Sequence, residues 1–200
     1  TDNVAVLLRM ADVAYMMENY TAMSEVCDKA LHLDTSNLQT YLYYAKACRG
    51  LGEPIRAVAV LSLAIKLRED YYAARLLRGT ILLENHLLDD AAQDADYLFT
   101  HLEPNEDVLL LKARVLKAQE KTKEAEQVYG MVIEVNPFSL DAYRERSEVR
   151  TILGDAAGAA EDEASIKEMG AEVPEPSEGI EQKIKEKMQQ MDPYKVFHNE

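Results

Sequence analysis

Apolar residues recur along this chain at spacings of three and four, which places them on one side of an α-helix. The clearest stretch is Tyr43–Leu67, which reads YYAKACRGLGEPIRAVAVLSLAIKL. Gly50 and Gly52 suit the end of one helix, because glycine readily adopts the left-handed backbone found there. Pro54 suits the first turn of the next helix, where its missing N–H is not needed. The pattern therefore predicts a hairpin of two helices joined by a short turn.

The same pattern returns at a constant period along the chain. One position of each first helix is occupied mostly by small residues, and so is one position of each second helix. These two series are Ala11, Ala45, Gly79, Ala113 and Ser147, and Met23, Ala57, Ala91, Ala125 and Ala159. Copies in constant register and without insertions predict five hairpins, because chance does not maintain such a period. The hairpins span 4–37, 38–71, 72–105, 106–139 and 140–173.

Over 4–173 the chain resembles the tetratricopeptide repeat (TPR) family, in which a helix–turn–helix unit recurs about every 34 residues. Tyr41 and Tyr143 occupy the first aromatic position of the family motif, and Asn136-Pro137 matches its closing signal. The resemblance implies an all-α fold, a right-handed α-α superhelix of five hairpins within 1–173.

The C-terminal segment has a different composition. Prolines and glutamates in 174–179 predict a linker. Residues 180–200 predict a capping helix and a frayed tail. The helix carries a narrow apolar stripe, formed by Ile180, Ile184, Met188 and Met191.

The amino-acid composition of the chain excludes some classes of binding partner. The net charge of −14 argues against nucleic acid, because phosphate binding needs a concentrated basic surface. The most apolar run, Ala57–Ile65, is too short to cross a bilayer. Cys27 and Cys48 fall at core positions, which predicts buried free thiols. The cytoplasm is the expected compartment, and a secreted or periplasmic fragment is the alternative.

No catalytic motif is found in the sequence. It contains no H-E-x-x-H pair, no G-x-S-x-G turn and no glycine-rich phosphate loop. The four histidines are scattered along the chain, at His32, His86, His101 and His198. We therefore expect no enzyme activity, no cofactor and no metal site.

A row of leucines, each one period from the next, marks the candidate binding surface. The TPR resemblance implies that first helices line a concave groove, and the row would form its floor. The predicted peptide-binding residues are Leu8, Tyr15, Leu42, Tyr43, Lys46, Arg49, Leu76, Leu77, Leu83, Leu110, Leu111, Arg114 and Lys117. The alternative is that these leucines only pack within their own hairpins.

Charge in the predicted groove is balanced. Basic residues are matched in number by acidic ones: Lys46, Arg49, Arg114, Lys117 and Arg144 against Asp12, Glu84, Asp107, Asp141 and Glu148. The TPR carboxylate clamp, which holds chaperone C-termini, uses Lys and Asn at positions that here are Leu8, Asp12, Leu42 and Lys46. The clamp is absent, so chaperone tails are not the expected ligand.

The first hairpin has an unusual outer side. Val6, Met10, Val13 and Met17 form an apolar stripe where a terminal repeat normally presents polar residues. This predicts an interface, either with upstream repeats or in a homodimer. The alternative is that residues 1–3 and side-chain rearrangement cover the stripe.

The sequence thus predicts a non-catalytic protein–protein interaction scaffold or adaptor that holds a peptide segment in its groove. The alternative is a rigid subunit of a larger complex, or of a dimer, that docks through its N-terminal apolar face.

Overall fold

A computed structural model describes residues 3–170 of the protein, and this range contains α-helices and no β-strand. The helices are α1 Val4–Met16, α2 Tyr20–Leu33, α3 Leu38–Gly50, α4 Pro54–Leu67, α5 Tyr72–Glu84, α6 Leu88–His101, α7 Glu106–Ala118, α8 Thr122–Val135, α9 Leu140–Leu153 and α10 Ala156–Glu168. The all-α expectation is confirmed. The predicted linker 174–179 and capping helix 180–200 lie outside the described residues.

The chain forms two compact units, the first ending at Glu103 and the second beginning at Pro104. In unit 1 each of the helices α1–α6 packs on the next along the chain, and α3 also contacts α1 and α5. In unit 2 the helices α7–α10 likewise pack in chain order. Each unit is therefore built from successive helical hairpins.

Asparagine side chains define several helix starts. The Oδ1 atom of Asn37 accepts a hydrogen bond from the Thr40 N–H at 3.2 Å, and that of Asn105 accepts one from Val108 at 3.1 Å. Such a cap contributes about 1 kcal/mol, because it satisfies a backbone donor that the helix leaves free. Pro54 lies in the first turn of α4. The predicted helix start at Pro54 is confirmed.

The turn inside each hairpin has a left-handed backbone at the same position of the repeat. Positive φ angles occur at one position of the period, at Glu18, Gly52, His86, Glu120 and Gly154. Only two of the five are glycine, although a left-handed backbone costs a residue with a Cβ about 1 kcal/mol. The hairpins therefore share the backbone of the turn even where its preferred residue is missing.

Small residues lie where the helices of a hairpin cross. Ala11, Ala45 and Ala57 are fully buried in the core of unit 1, and Ala113 and Ala125 in that of unit 2. Because alanine lacks atoms beyond Cβ, the helix axes can approach closely at these points, and larger residues fill the space between the crossings.

Both cysteines are free thiols buried in the core of unit 1, as predicted. Burial raises the pKa of Cys27 to about 12, with a smaller contribution from Cys48. At neutral pH the Cys27 side chain is therefore a protonated, weakly reactive packing group.

A buried Arg–Asp pair joins the two helices of one hairpin in each unit. In unit 1 the guanidinium of Arg78 donates two hydrogen bonds to Asp94, at 2.8 and 2.7 Å. In unit 2 Arg146 makes the same contact with Asp162, at 3.0 and 2.6 Å. Both carboxylates are buried, and a second arginine contacts each of them, Arg75 at 3.4 Å from Asp94 and Arg150 at 3.2 Å from Asp162. Each carboxylate therefore depends on two arginines for compensation.

Candidate functional site

The predicted groove residues fall into three groups. Three leucines are at most 8% exposed and offer a ligand almost no surface: Leu8, Leu110 and Leu111. A second group is partly or largely accessible and lies in unit 1: Tyr15, Leu42, Tyr43, Lys46, Arg49, Leu76, Leu77 and Leu83. The third group consists of two half-buried cations of unit 2, Arg114 and Lys117. The side chain at the same position of the repeat is therefore buried in the core of one hairpin and partly accessible in another.

The second group, on α1, α3 and α5, forms what we call the first-helix face of unit 1. The Tyr43 hydroxyl donates a hydrogen bond to Asp12. The Lys46 ammonium lies over two tyrosine rings, 5.3 Å from the centroid of Tyr15 and 5.8 Å from that of Tyr43. Within residues 3–170 no carboxylate pairs with Lys46, so its charge is held by aromatic faces alone.

Arg49 and Glu84 connect α3 and α5 on the same face. The guanidinium of Arg49 donates two hydrogen bonds to the carboxylate, one of them 2.9 Å long. This planar, two-point contact fixes both side chains and neutralises Arg49. Among the predicted groove cations of unit 1, only Lys46 therefore keeps an uncompensated charge.

The corresponding face of unit 2 is crosslinked by ion pairs. Arg114 donates to Glu145 and to Asp141, each at 2.8 Å, and Lys117 donates to Glu148 at 2.5 Å. A ligand that used either cation would first have to displace a carboxylate already in contact. In unit 2, two of the predicted groove cations, Arg114 and Lys117, are thus bound in specific ion pairs.

Glu145 is the centre of this network. It also accepts a hydrogen bond from the buried hydroxyl of Tyr129 at 2.6 Å. Burial raises the pKa of Tyr129, and the neighbouring carboxylate raises it further, so the phenol remains a donor. These contacts join α7, α8 and α9.

The apolar stripe of α1 is exposed, as predicted. Val6, Met10, Val13 and Met17 are between 38% and 72% exposed. With Ala22 and Val26 of α2 they line an open groove of about 400 Å³, and Arg9 is the charged residue among the described residues that line it. We call this surface the N-terminal face.

Hairpin two shows what normally covers such a surface. Thr40, Tyr44, Ala47 and Val60 stand one period after Val6, Met10, Val13 and Val26, and all four are at most 8% exposed. The preceding helix α2 packs directly on α3. The N-terminal face therefore has the composition of an interface between hairpins but lacks a neighbour in the described structure.

No cluster of potential metal ligands is found among residues 3–170. No three His, Cys, Asp or Glu side chains in this range converge as metal ligands would. His101 directs Nδ1 to the Tyr97 carbonyl at 2.8 Å and stacks on the Tyr97 ring, which accounts for it structurally. In the same range, no helix has the length and hydrophobicity needed to cross a membrane.

Sequence comparison finds no matching family model and no matching curated protein. Structure comparison does find matches. MamA 41-end from Desulfovibrio magneticus RS-1 superposes with a TM-score of 0.77 at 14% identity, covering 85% of this chain and 96% of MamA. PilW, a type IV pilus biogenesis factor, gives 0.75 at 17%, covering 94% and 83%. YrrB, a TPR protein with an unusual peptide-binding site, gives 0.67 at 15%, covering 92% and 93%.

This chain has the tetratricopeptide-repeat fold. At these identities the likeness extends to the arrangement of the helices and not to ligands. The expectation drawn from the constant period is confirmed at the level of fold.

The buried Arg–Asp pairs of these TPR hairpins escaped the sequence analysis, although a signal was present. At the place of Arg78 the five hairpins carry Met, Tyr, Arg, Lys and Arg. At the place of Asp94 they carry Val, Val, Asp, Val and Asp. An aspartate appears only where the partner position is arginine. Comparing columns of the period in pairs, rather than singly, would have revealed the contact.

Proposed function

We propose that this protein is a non-catalytic protein–protein interaction scaffold that binds a peptide segment on the first-helix face of unit 1. The observation that carries the proposal is a contrast between the units. In unit 1, partly accessible leucines and tyrosines surround Lys46, which pairs with no carboxylate of residues 3–170, whereas the cations of unit 2 are held in ion pairs. YrrB, which shares the fold, is a TPR protein with a peptide-binding site, and this supports the same use of the fold here.

The chemistry of the face defines the ligand. Leu42, Leu76 and Leu77 offer apolar contact area, and Tyr15 and Tyr43 add ring surface. Lys46 adds one positive charge. A segment with two or more apolar anchors and one carboxylate near them complements this arrangement. The carboxylate would then replace the aromatic rings as the main partner of the ammonium group.

Selection from a displayed peptide library on the intact protein tests the proposal. We expect selected peptides to carry apolar anchors with a nearby Asp or Glu. Leu76→Glu should weaken their binding at least about tenfold, because an apolar contact worth about 1.5–3 kcal/mol is lost. Lys46→Glu should remove the preference for an acidic residue.

Two matched variants on α4 serve as controls. Leu63→Glu places the same change at an exposed leucine, and Lys66→Glu reverses the charge of an exposed lysine. Both should leave peptide binding intact. Binding that survives Leu76→Glu and Lys46→Glu in folded protein, or that is lost with the α4 controls, would place the site elsewhere.

A second candidate function is assembly through the N-terminal face. It is favoured by one observation, the exposure of residues whose equivalents in hairpin two are buried. An exposed apolar surface of this kind commonly marks an interface. Met10→Glu with Val13→Lys should abolish any association that uses this face while leaving peptide selection on the first-helix face unchanged.

A further inference from the structure

Two basic side chains of the first-helix face are held in different ways. Lys46 and Arg49 lie three residues apart on α3, so they leave the helix on the same side, with Cβ atoms roughly 5–6 Å apart. The Lys46 ammonium rests on the rings of Tyr15 and Tyr43, and no carboxylate of residues 3–170 pairs with it. Arg49 instead donates two hydrogen bonds to Glu84 of α5. The face therefore contains two neighbouring cations, of which one is already bound to a carboxylate.

The contact with Glu84 occupies the part of Arg49 that a ligand would use. Nε and Nη2 donate to the two carboxylate oxygens, the Nε bond at 2.9 Å. This two-point arrangement is the one in which a guanidinium binds a carboxylate most strongly. A ligand carboxylate would therefore have to displace Glu84, and it would then lie beside a like charge. Glu84 thus both blocks Arg49 and repels an acidic ligand residue near it.

The pair contributes little to holding the helices together. The side chains of Arg49 and Glu84 are 46% and 40% exposed, and ion pairs at such sites add little to stability because water screens them. In unit 2, by contrast, Glu145 accepts hydrogen bonds from both Arg114 and the buried Tyr129. Removing the charge of Glu84 should therefore change what the face binds without unfolding unit 1.

We propose that Glu84 determines the specificity of the first-helix face by limiting its ligand to one carboxylate, which Lys46 binds. Glu84 holds Arg49 and excludes a second acidic residue from its neighbourhood. Without the charge of Glu84, Lys46 and Arg49 together bind a ligand with two carboxylates. This inference rests on the peptide-binding function proposed for the same face.

The spacing of the two cations defines where the second ligand carboxylate would lie. In an extended peptide, side chains two residues apart point to the same side at a distance of about 7 Å. In a helical peptide, side chains three or four residues apart are neighbours at a similar distance. The second acidic residue is therefore expected two positions from the first in an extended ligand, and three or four positions from it in a helical one.

Parallel selections from one displayed peptide library, on the unchanged protein and on Glu84→Gln, test the proposal. Glutamine keeps the size of the side chain and removes its charge. We expect peptides with one acidic residue from the unchanged protein, and peptides with two, at the spacings above, from the variant. In calorimetric titration a two-carboxylate peptide should bind Glu84→Gln at least about tenfold more tightly than the unchanged protein, because it gains Arg49 and loses a like charge. Its one-carboxylate analogue should bind both proteins within about threefold, since Lys46 is unchanged.

Two further variants test whether Arg49 is responsible for the gain. Glu53→Gln removes the same charge from a comparable pair at the start of α4, in which Glu53 and Arg56 are 43% and 50% exposed. It should leave the binding of both peptides unchanged. Glu84→Gln combined with Arg49→Gln should return the two-carboxylate peptide to its affinity for the unchanged protein. An equal gain in Glu53→Gln, or a gain that persists without Arg49, would overturn the proposal, because net charge alone would then explain it.

The selections also separate this inference from the proposed function on which it rests. Urea denaturation first establishes that Glu84→Gln is folded. If neither protein selects a binding peptide, the peptide-binding function fails and this inference fails with it. If both proteins select the same one-carboxylate peptides, the function stands and the role of Glu84 is overturned. Peptides with two acidic residues selected by the unchanged protein would overturn that role as well.

Discussion

The two units use the same backbone to present different first-helix faces. Unit 1 presents tyrosines and leucines around Lys46, whose ammonium lies over two tyrosine rings and pairs with no carboxylate in the described part of the chain. Unit 2 presents Arg114 and Lys117, which are already bound to carboxylates of the next first helix. A ligand gains most where groups lack strong partners, because each contact it replaces must be broken first. The repeated fold thus fixes where side chains stand, and the choice of side chains decides which unit can bind.

The largest effect is expected at a feature that both units share. Asp94→Ala in unit 1 should lower the free energy of unfolding by about 3 kcal/mol, because Arg78 loses the carboxylate that compensates it in a largely buried site. Asp162→Ala should act similarly in unit 2. Urea denaturation followed by circular dichroism measures both changes.

The first hairpin provides the control for this prediction, because it carries Met10 and Val26 at the places of Arg78 and Asp94. It also carries Leu7 at the place of Arg75, the second arginine that contacts Asp94. Arg75→Leu and Arg78→Met combined with Asp94→Val should recover most of the stability lost in Asp94→Ala. A triple variant as unstable as the single one would mean that the ion pairs of Asp94 are not the cause of the loss.

The next effect distinguishes the units. Glu145→Gln should destabilise unit 2 by about 2 kcal/mol, because the carboxylate accepts hydrogen bonds from Arg114 and Tyr129. Glu84→Gln is the matched change in unit 1. It should cost less than about 1 kcal/mol, since Glu84 and Arg49 are largely exposed. Equal losses would contradict the view that only unit 2 depends on its ion pairs.

A smaller effect should appear equally in both units, at the hairpin turns. Gly52→Ala and Gly154→Ala should each destabilise by about 1 kcal/mol, because the backbone there is left-handed. An added Cβ at either glycine meets no atom within 4 Å, so crowding does not contribute. Glu120→Gly should have the opposite sign and a smaller size. Thermal denaturation of these variants compares the turns directly.

The smallest effect belongs to the proposed binding residue. Lys46→Ala should change stability by no more than about 0.5–1 kcal/mol, the range of a partly exposed cation–π contact. The loss should appear in peptide affinity instead. A stability loss as large as that of Glu145→Gln would show that Lys46 is structural.

Periodicity predicted the helices, the helix start at Pro54 and the apolar stripe of the first hairpin because these depend on residues close in sequence. It did not distinguish Leu110 from Leu76, which stand at the same place of the repeat, because burial depends on the neighbouring side chains. The predicted charge balance did not identify partners, and Glu145, which accepts hydrogen bonds from Arg114 and Tyr129, was not among its acidic residues. Arg114 and Glu145 are far apart in sequence, so their contact follows from helix packing and not from local pattern.

The buried Arg–Asp pairs also bear on how such a chain could have evolved. Arg78 and Asp94 lie in one hairpin, so a duplication or exchange of that single repeat would move both partners together and leave neither charge stranded. Arg114 and Glu145 lie in successive hairpins, and an exchange at that boundary would separate them. Exchange of the third hairpin would likewise separate Arg49 from Glu84. Recombination should therefore preserve the buried pairs and disrupt the more exposed pairs that cross hairpin boundaries.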